Sequence, residues 1–167
     1  LERLLYLSCG RDAAKTKELM EQLSKNGKYE ITPEMKEFMK DFSAGYADME
    51  ENAKEIKKVF DDTGYLIDTH TGVAAAVYEQ YKAKTGDATK TVIASTASPY
   101  KFSRSVMEAV LGKKEDTDEF ALIDEMERIS GVKIPQAIEE IRDAKILHNR
   151  QCKPEEMEET VKQTFSK

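Results

Sequence analysis

Ser95, Thr96 and Ser98 place three small hydroxyls within four positions, directly after the apolar run Thr91-Val92-Ile93-Ala94 and directly before Pro99. Hydroxyls in such a setting can hydrogen-bond a polar atom of a ligand without adding charge. A helix opening at Pro99 would add free N–H groups and a partial positive charge beside them. In open α/β sheets, ligands bind beyond the carboxyl ends of the strands, so the stretch Thr91 to Phe102 reads as one wall of a small-molecule site. The plainer reading is a capped turn in which Ser98 only serves the helix.

The other chemically capable residues are more scattered. His70 stands between Thr69 and Thr71 at the mouth of a helical pattern, as a ligand contact or as a capping imidazole, and His148 allows the same two readings. Cys9, Cys152 and the two histidines lack the short-range spacing of a zinc site, so no metal is expected. The carboxylates of Asp61-Asp62 and Glu155-Glu156-Glu158-Glu159 read as solvated helix faces rather than acid/base pairs. Gly10, Gly45 and Gly72 do not make a phosphate-cradling loop. No lysine has a context that marks a Schiff base, although Lys101 lies nearest the hydroxyl turn.

These residues must be positioned by helices. Asp12 is placed to cap a helix bearing Leu19, Met20 and Leu23 that Gly27 ends, and Thr32-Pro33 opens another with Met35, Phe38, Met39 and Phe42 inward. Asp48 and Glu51 have capping-box spacing ahead of Met49, Ala53, Ile56 and Phe60, with Gly64 as terminator. Tyr65 to Thr71 reads as a short extended link, and Val73 to Tyr81 as a buried helix that ends at Gly86. Ser98 and Pro99 launch a helix with Phe102, Val106, Ala109 and Val110 on one face. Helices over Asp118 to Ile129, after Pro135 (Ile138, Ile141), and over Pro154 to Phe165 (Met157, Val161, Phe165) complete the tail.

Thr91 to Ala94 is the one convincing strand, continuously apolar like a parallel strand buried on both faces. Such a strand needs neighbours on both edges to satisfy its N–H and C=O groups, and Ile67 and Ile146 are weak candidates. The expected partners therefore lie upstream, outside this chain. Leu1-Glu2-Arg3-Leu4-Leu5-Tyr6-Leu7 begins inside a helical pattern without Met or N-cap, which reads as a cut through a buried helix.

Composition bounds the partners. The chain has 167 residues, 40% hydrophobic and 35% charged, with 26 Lys+Arg interleaved among 32 Asp+Glu. That is globular rather than disordered, and a net charge of −6 argues against nucleic acid as the main partner. No apolar run approaches the roughly 20 residues that span a bilayer, and two distant cysteines suit the cytoplasm.

Thr91-Val92-Ile93-Ala94-Ser95-Thr96-Ala97-Ser98-Pro99-Tyr100-Lys101-Phe102 resembles the Thr-Ala-(His/Ser)-Pro-x-Lys-Phe segment of threonine synthases. Three further stretches resemble the same family in the same order. Leu1 to Leu5 is similar to the helix after its Ser-Asn pair, Gly64 to Thr71 to its Asp-Pro-His-Thr region, and Leu147-His148-Asn149 to a C-terminal His-Asn. The resemblance implies that residues 1–167 are the C-terminal portion of a pyridoxal-phosphate lyase. The implied class is α/β, a helix-rich fragment of fold type II with one buried parallel strand.

Such an enzyme converts O-phospho-homoserine and water into threonine and phosphate, with its Schiff-base lysine and phosphate loop upstream, so no catalytic residue is expected here and the isolated chain is expected to be inactive. The resemblance places Thr96 against the pyridine nitrogen, with Ser95 and Ser98 as alternatives. The sequence departs from the family where Thr69 replaces Pro and where Ser98 stands in place of His. Two rival readings are a self-standing helical protein-interaction domain and another enzyme of the same cofactor fold, such as a threonine dehydratase or cysteine synthase. The His70 and Lys101 segments favour threonine synthase over the latter.

Overall fold

A computed structural model describes residues 1–114 and 116–166. Its first three helices, α1 (Glu2–Ser8), α2 (Ala13–Asn26) and α3 (Pro33–Phe38), meet around a small core of Leu5, Leu19 and Met35. Asp12 caps α2 by accepting from the Lys15 N–H at 3.0 Å, and Thr32 caps α3. Of the α1 residues expected inside, Leu5 is buried, whereas Leu1, Tyr6 and Leu7 are exposed. The expected inward face of α3 is also only partly covered, because Phe38 and Phe42 remain at the surface.

The larger core is built by α4 (Met49–Thr63), α5 (Thr69–Thr85), α6 (Ser103–Leu111) and α7 (Glu119–Ser130). α4 packs on α5 and α6, and α6 on α7. Ile56, Leu66, Ala75, Val106, Met107, Leu122, Ile123 and Met126 fill the space between them. The capping box at the start of α4 is present: the Glu51 N–H donates to Asp48 Oδ1 at 2.8 Å, and the Asp48 N–H to Glu51 Oε2 at 2.9 Å. Gly64 takes φ 70, the left-handed turn that ends the helix without a Cβ penalty.

Gly72 sits where α5 crosses α4. A Cβ there would lie 2.2 Å from Asn52 Oδ1 and 2.8 Å from Ile56 Cγ1, so the close approach of the two helices requires glycine. The link expected over Tyr65 to Thr71 is shorter than its sequence suggests, since α5 starts at Thr69. The reason is Asp68, whose carboxylate accepts the N–H groups of His70 and Thr71 and so nucleates the helix early.

The expected buried parallel strand does not form. Thr91 to Ala94 is irregular, Val92 is 91% exposed, and no strand occurs among the described residues. No backbone-to-backbone hydrogen bond involves residues 91–94 among those described. A strand is stabilised by its ladder, and without a neighbour to pair with, the same apolar sequence has no reason to leave solvent. The described residues are helix-rich as expected, but without the strand that the α/β expectation placed among them. Pro99–Phe102 forms a single 3₁₀ turn before α6, and the tail carries α8 (Gln136–Arg142) and α9 (Met157–Phe165), separated by a 3₁₀ turn at Pro154–Glu156. The Met157, Val161 and Phe165 stripe of α9 is exposed.

Candidate functional site

The N-terminus of α5 and the turn before α6 meet, bringing together two segments that are separate in sequence. Asp68 is at their centre. Its side chain is 0% exposed, and Oδ1 accepts from the His70 N–H at 2.8 Å and the Thr71 N–H at 3.4 Å. The Thr71 hydroxyl donates to Oδ2 in a short hydrogen bond. Burial works to raise the Asp68 pKa, but the bonds from the Thr71 side chain and from both N–H groups, with the nearby His70, together hold it below the ordinary 3.8.

Thr71 also carries the contact across. Its Oγ1 is hydrogen-bonded to Ser95 Oγ at 3.0 Å, tying the hydroxyl turn to the start of α5. His70 lies on the outer side of the same helix turn, with Nδ1 3.3 Å from Asp68 Oδ1 and its ring centroid 5.0 Å from that of Phe102. Lys101 Nζ stands 5.6 Å from the centroid of the Phe102 ring.

The three hydroxyls expected to share a ligand are in different states. Ser98 accepts from the Tyr100 N–H at 3.3 Å, the capping role of the plainer reading. Ser95 is engaged by Thr71. Thr96 is exposed and makes no hydrogen bond among the described residues. Tyr100 anchors the turn from beneath, 3% exposed, with its hydroxyl donating to the Val132 carbonyl; burial raises its pKa above 10.0. Beside it, Tyr100, Lys101, Phe120, Ile123 and Ile138 line an apolar cleft of about 440 Å³. A second cleft, of about 460 Å³, runs between Thr91–Ala94 and Ala74, Val77, Tyr78 and Tyr81 of α5.

Sequence reasoning missed Asp68. The available signal was its position three residues before Thr71, the spacing of a cap that serves a helix N-terminus. His148 and Cys152 are exposed, and Cys9 is half-buried against Thr16 at 3.4 Å. Among the described residues, no group of three or more His, Cys, Asp or Glu is arranged to hold a metal ion.

Comparisons with known proteins agree on one relationship. The family model described as the C-terminal part of threonine synthase matches residues 71–146, which include Thr71, Ser95, Thr96 and Ser98. Threonine synthase-like 1 from Macaca fascicularis is 31% identical over 111 residues, covering 66% of this chain. The Homo sapiens protein of that name is also 31% identical over 111 residues. The chain spans 14% of the length of each of these relatives. A crystal structure of pyridoxal-phosphate-bound threonine synthase from Brucella melitensis superimposes with a TM-score of 0.54 at 29% identity, over 78% of this chain and 26% of that one. The chain is therefore a relative of threonine synthases, similar to their C-terminal region.

Proposed function

We propose that this chain supplies the C-terminal wall of the cofactor pocket in a pyridoxal-phosphate lyase of the threonine synthase type, which converts O-phospho-homoserine and water into threonine and phosphate. The observation that carries the reading is the hydrogen bond between Thr71 and Ser95, because it holds the hydroxyl turn in place and leaves the adjacent Thr96 hydroxyl outside. When bound, the cofactor supplies an electron sink for the substrate's α-carbon. Thr96 suits the pyridine nitrogen: its hydroxyl is exposed, uncharged and uncommitted, so it can donate to that nitrogen without the carboxylate that would hold it protonated. Ser95 and Ser98 are the poorer candidates, since both are already engaged.

The Schiff-base lysine and the phosphate loop belong, on this reading, to a preceding portion that packs against the exposed Thr91–Ala94 segment. The catalytic unit is the two portions together, working in the cytoplasm, and this chain alone is inactive. No helix among the described residues is long and apolar enough to cross a membrane. The exposure of Val92, Ile146, Leu147 and Phe165 fits such a docking surface. It equally favours a second reading, in which the chain is a helical interaction domain whose apolar faces bind an unrelated protein.

The test uses the complete polypeptide that carries this chain. Cofactor absorbance in the purified protein and phosphate release from O-phospho-homoserine are expected, with Thr96→Val shifting the absorbance and lowering the rate. Absence of cofactor binding would sink the enzyme reading in favour of the interaction domain. A Thr96→Val variant with unchanged spectrum and rate would remove Thr96 from the ring nitrogen.

A further inference from the structure

Where α4, α5 and α6 meet they leave a cavity of about 540 Å³ that shares no lining residue with the hydroxyl turn. Ala53, Ile56 and Ala109 give it an apolar side. The polar groups on its other side are mostly donors, and Asn52 shows why. Its Oδ1 is buried, accepts no hydrogen bond among the described residues, and lies where a Gly72 Cβ would point, which puts it against the Gly72 Cα–H. A C–H is a weak donor, whereas the amide NH2 in that place would press N–H against C–H, so the oxygen belongs there. The polar group that Asn52 has left for the cavity it lines is its NH2, with two protons to give and no capacity to accept.

The hydroxyls of Thr69 and Ser105 line the same cavity, and neither is hydrogen-bonded among the described residues. Glu108, Lys113 and Lys114 also line it, two ammonium groups to one carboxylate. Glu108 and Lys113 are engaged by neighbours, while Lys114 has no partner among the described residues. We propose that this cavity binds a small organic acid, its carboxylate or phosphate taken by the Asn52 NH2, the Thr69 and Ser105 hydroxyls and the Lys114 ammonium, and its carbon chain laid against Ala53, Ile56 and Ala109. Hydroxyls can turn either way, but Asn52 and Lys114 have only protons to offer, so they set the polarity of the site. Charge-assisted bonds from such donors are the stronger kind, and the volume suits a small molecule. The cofactor reading above is not needed for this site, which uses no residue of that wall and is tested on this chain without cofactor.

In the full chain, titration with butanoate and with butyl phosphate is expected to move the NMR resonances of the Asn52 side-chain NH2 and of the Thr69 and Ser105 amides saturably, with a Kd of about 1 mM. Whichever of the two binds more tightly names the headgroup. Acetate should bind about tenfold more weakly than butanoate, because two CH2 groups then leave the apolar side. Asn52→Asp keeps an oxygen against Gly72 but replaces the donor with a second carboxylate oxygen, and it should abolish binding. Ser105→Ala and Lys114→Met should each weaken binding about fivefold. Both residues are exposed, so these variants test the site even where Asn52→Asp disturbs α4. Lys84→Met, on α5 but outside the cavity, should leave binding unchanged. Butanoate binding to Asn52→Asp as tight as to the unsubstituted chain, equal losses from Lys84→Met and Lys114→Met, or acetate as tight as butanoate would overturn the site. So would shifts that stay linear up to about 50 mM ligand.

Discussion

Tyr65–Thr71 and Thr91–Ser98 are both short connections leading into a helix, yet they have opposite fates. The first buries Leu66, Ile67 and Asp68, and both carboxylate oxygens of Asp68 are satisfied by residues within three positions of it. The second is more apolar at its start, but Val92 is 91% exposed, and on its polar half Ser95 is held by Thr71 while Ser98 caps the turn that follows. Apolar character alone does not bury a segment. Burial also requires that the backbone polar groups find partners, and a helix cap finds them locally whereas a strand finds them only in another strand.

This contrast can be broken most sharply at Asp68. Asp68→Ala removes the cap of α5 and leaves the Thr71 hydroxyl without its acceptor, and an unfolding experiment is expected to show a loss of about 3 kcal/mol. The next largest effect belongs to Gly72, where Gly72→Ala drives a methyl into Asn52 and Ile56; a loss of about 2 kcal/mol is expected from the forced separation of α4 and α5. A stability equal to wild type would mean that the two helices do not cross so closely.

Acid sharpens the same comparison without a mutation. The Asp68 pKa is lowered in the folded protein, so its contribution to stability is present above the unfolded value near 3.8 and is lost as pH falls through the still lower folded value. Thermal unfolding of wild type should thus show a fall in Tm below about pH 4 that is smaller in Asp68→Asn. Parallel curves for the two proteins would deny the buried carboxylate its role.

Tyr100→Phe, which deletes the hydroxyl bonded to the Val132 carbonyl under the second segment, is expected to cost about 1 kcal/mol. Val92→Ser, at the exposed centre of that segment, should change the stability of the isolated chain by less than about 0.5 kcal/mol. A larger loss from Val92→Ser would indicate that Val92 itself is already packed. In a complex with the proposed preceding portion, the same substitution should weaken association, which a pull-down or sedimentation measurement would read.

Much of the helical framework was legible in residues that act locally. Asp12, Thr32, the Asp48–Glu51 pair and Ser98 cap as their types and spacings imply, and Gly27, Gly64, Gly86 and Gly112 end helices in the left-handed conformation that only glycine adopts at low cost. The stripes of α4, α6 and α7 face the core because a period of 3.6 places their apolar residues on one side. The same periodicity gave no warning that α1, α3 and α9 would leave apolar residues in solvent, since periodicity says which residues share a face and nothing about what covers that face.

The candidate site divides along the same line. The three hydroxyls after an apolar run, and the likeness of that run to threonine synthases, were properties of the sequence. Which hydroxyl is free was decided by the tertiary structure, for it depends on Thr71 reaching Ser95 across 24 positions of chain and on the burial of Asp68 beneath both. Local types and spacings determine caps, turns and faces because those interactions close within one or two helical turns. The state of Ser95, and the absence of a ladder at Thr91–Ala94 among the described residues, depend on partners distant in sequence, and only the packing of the helices determines which of those partners arrive.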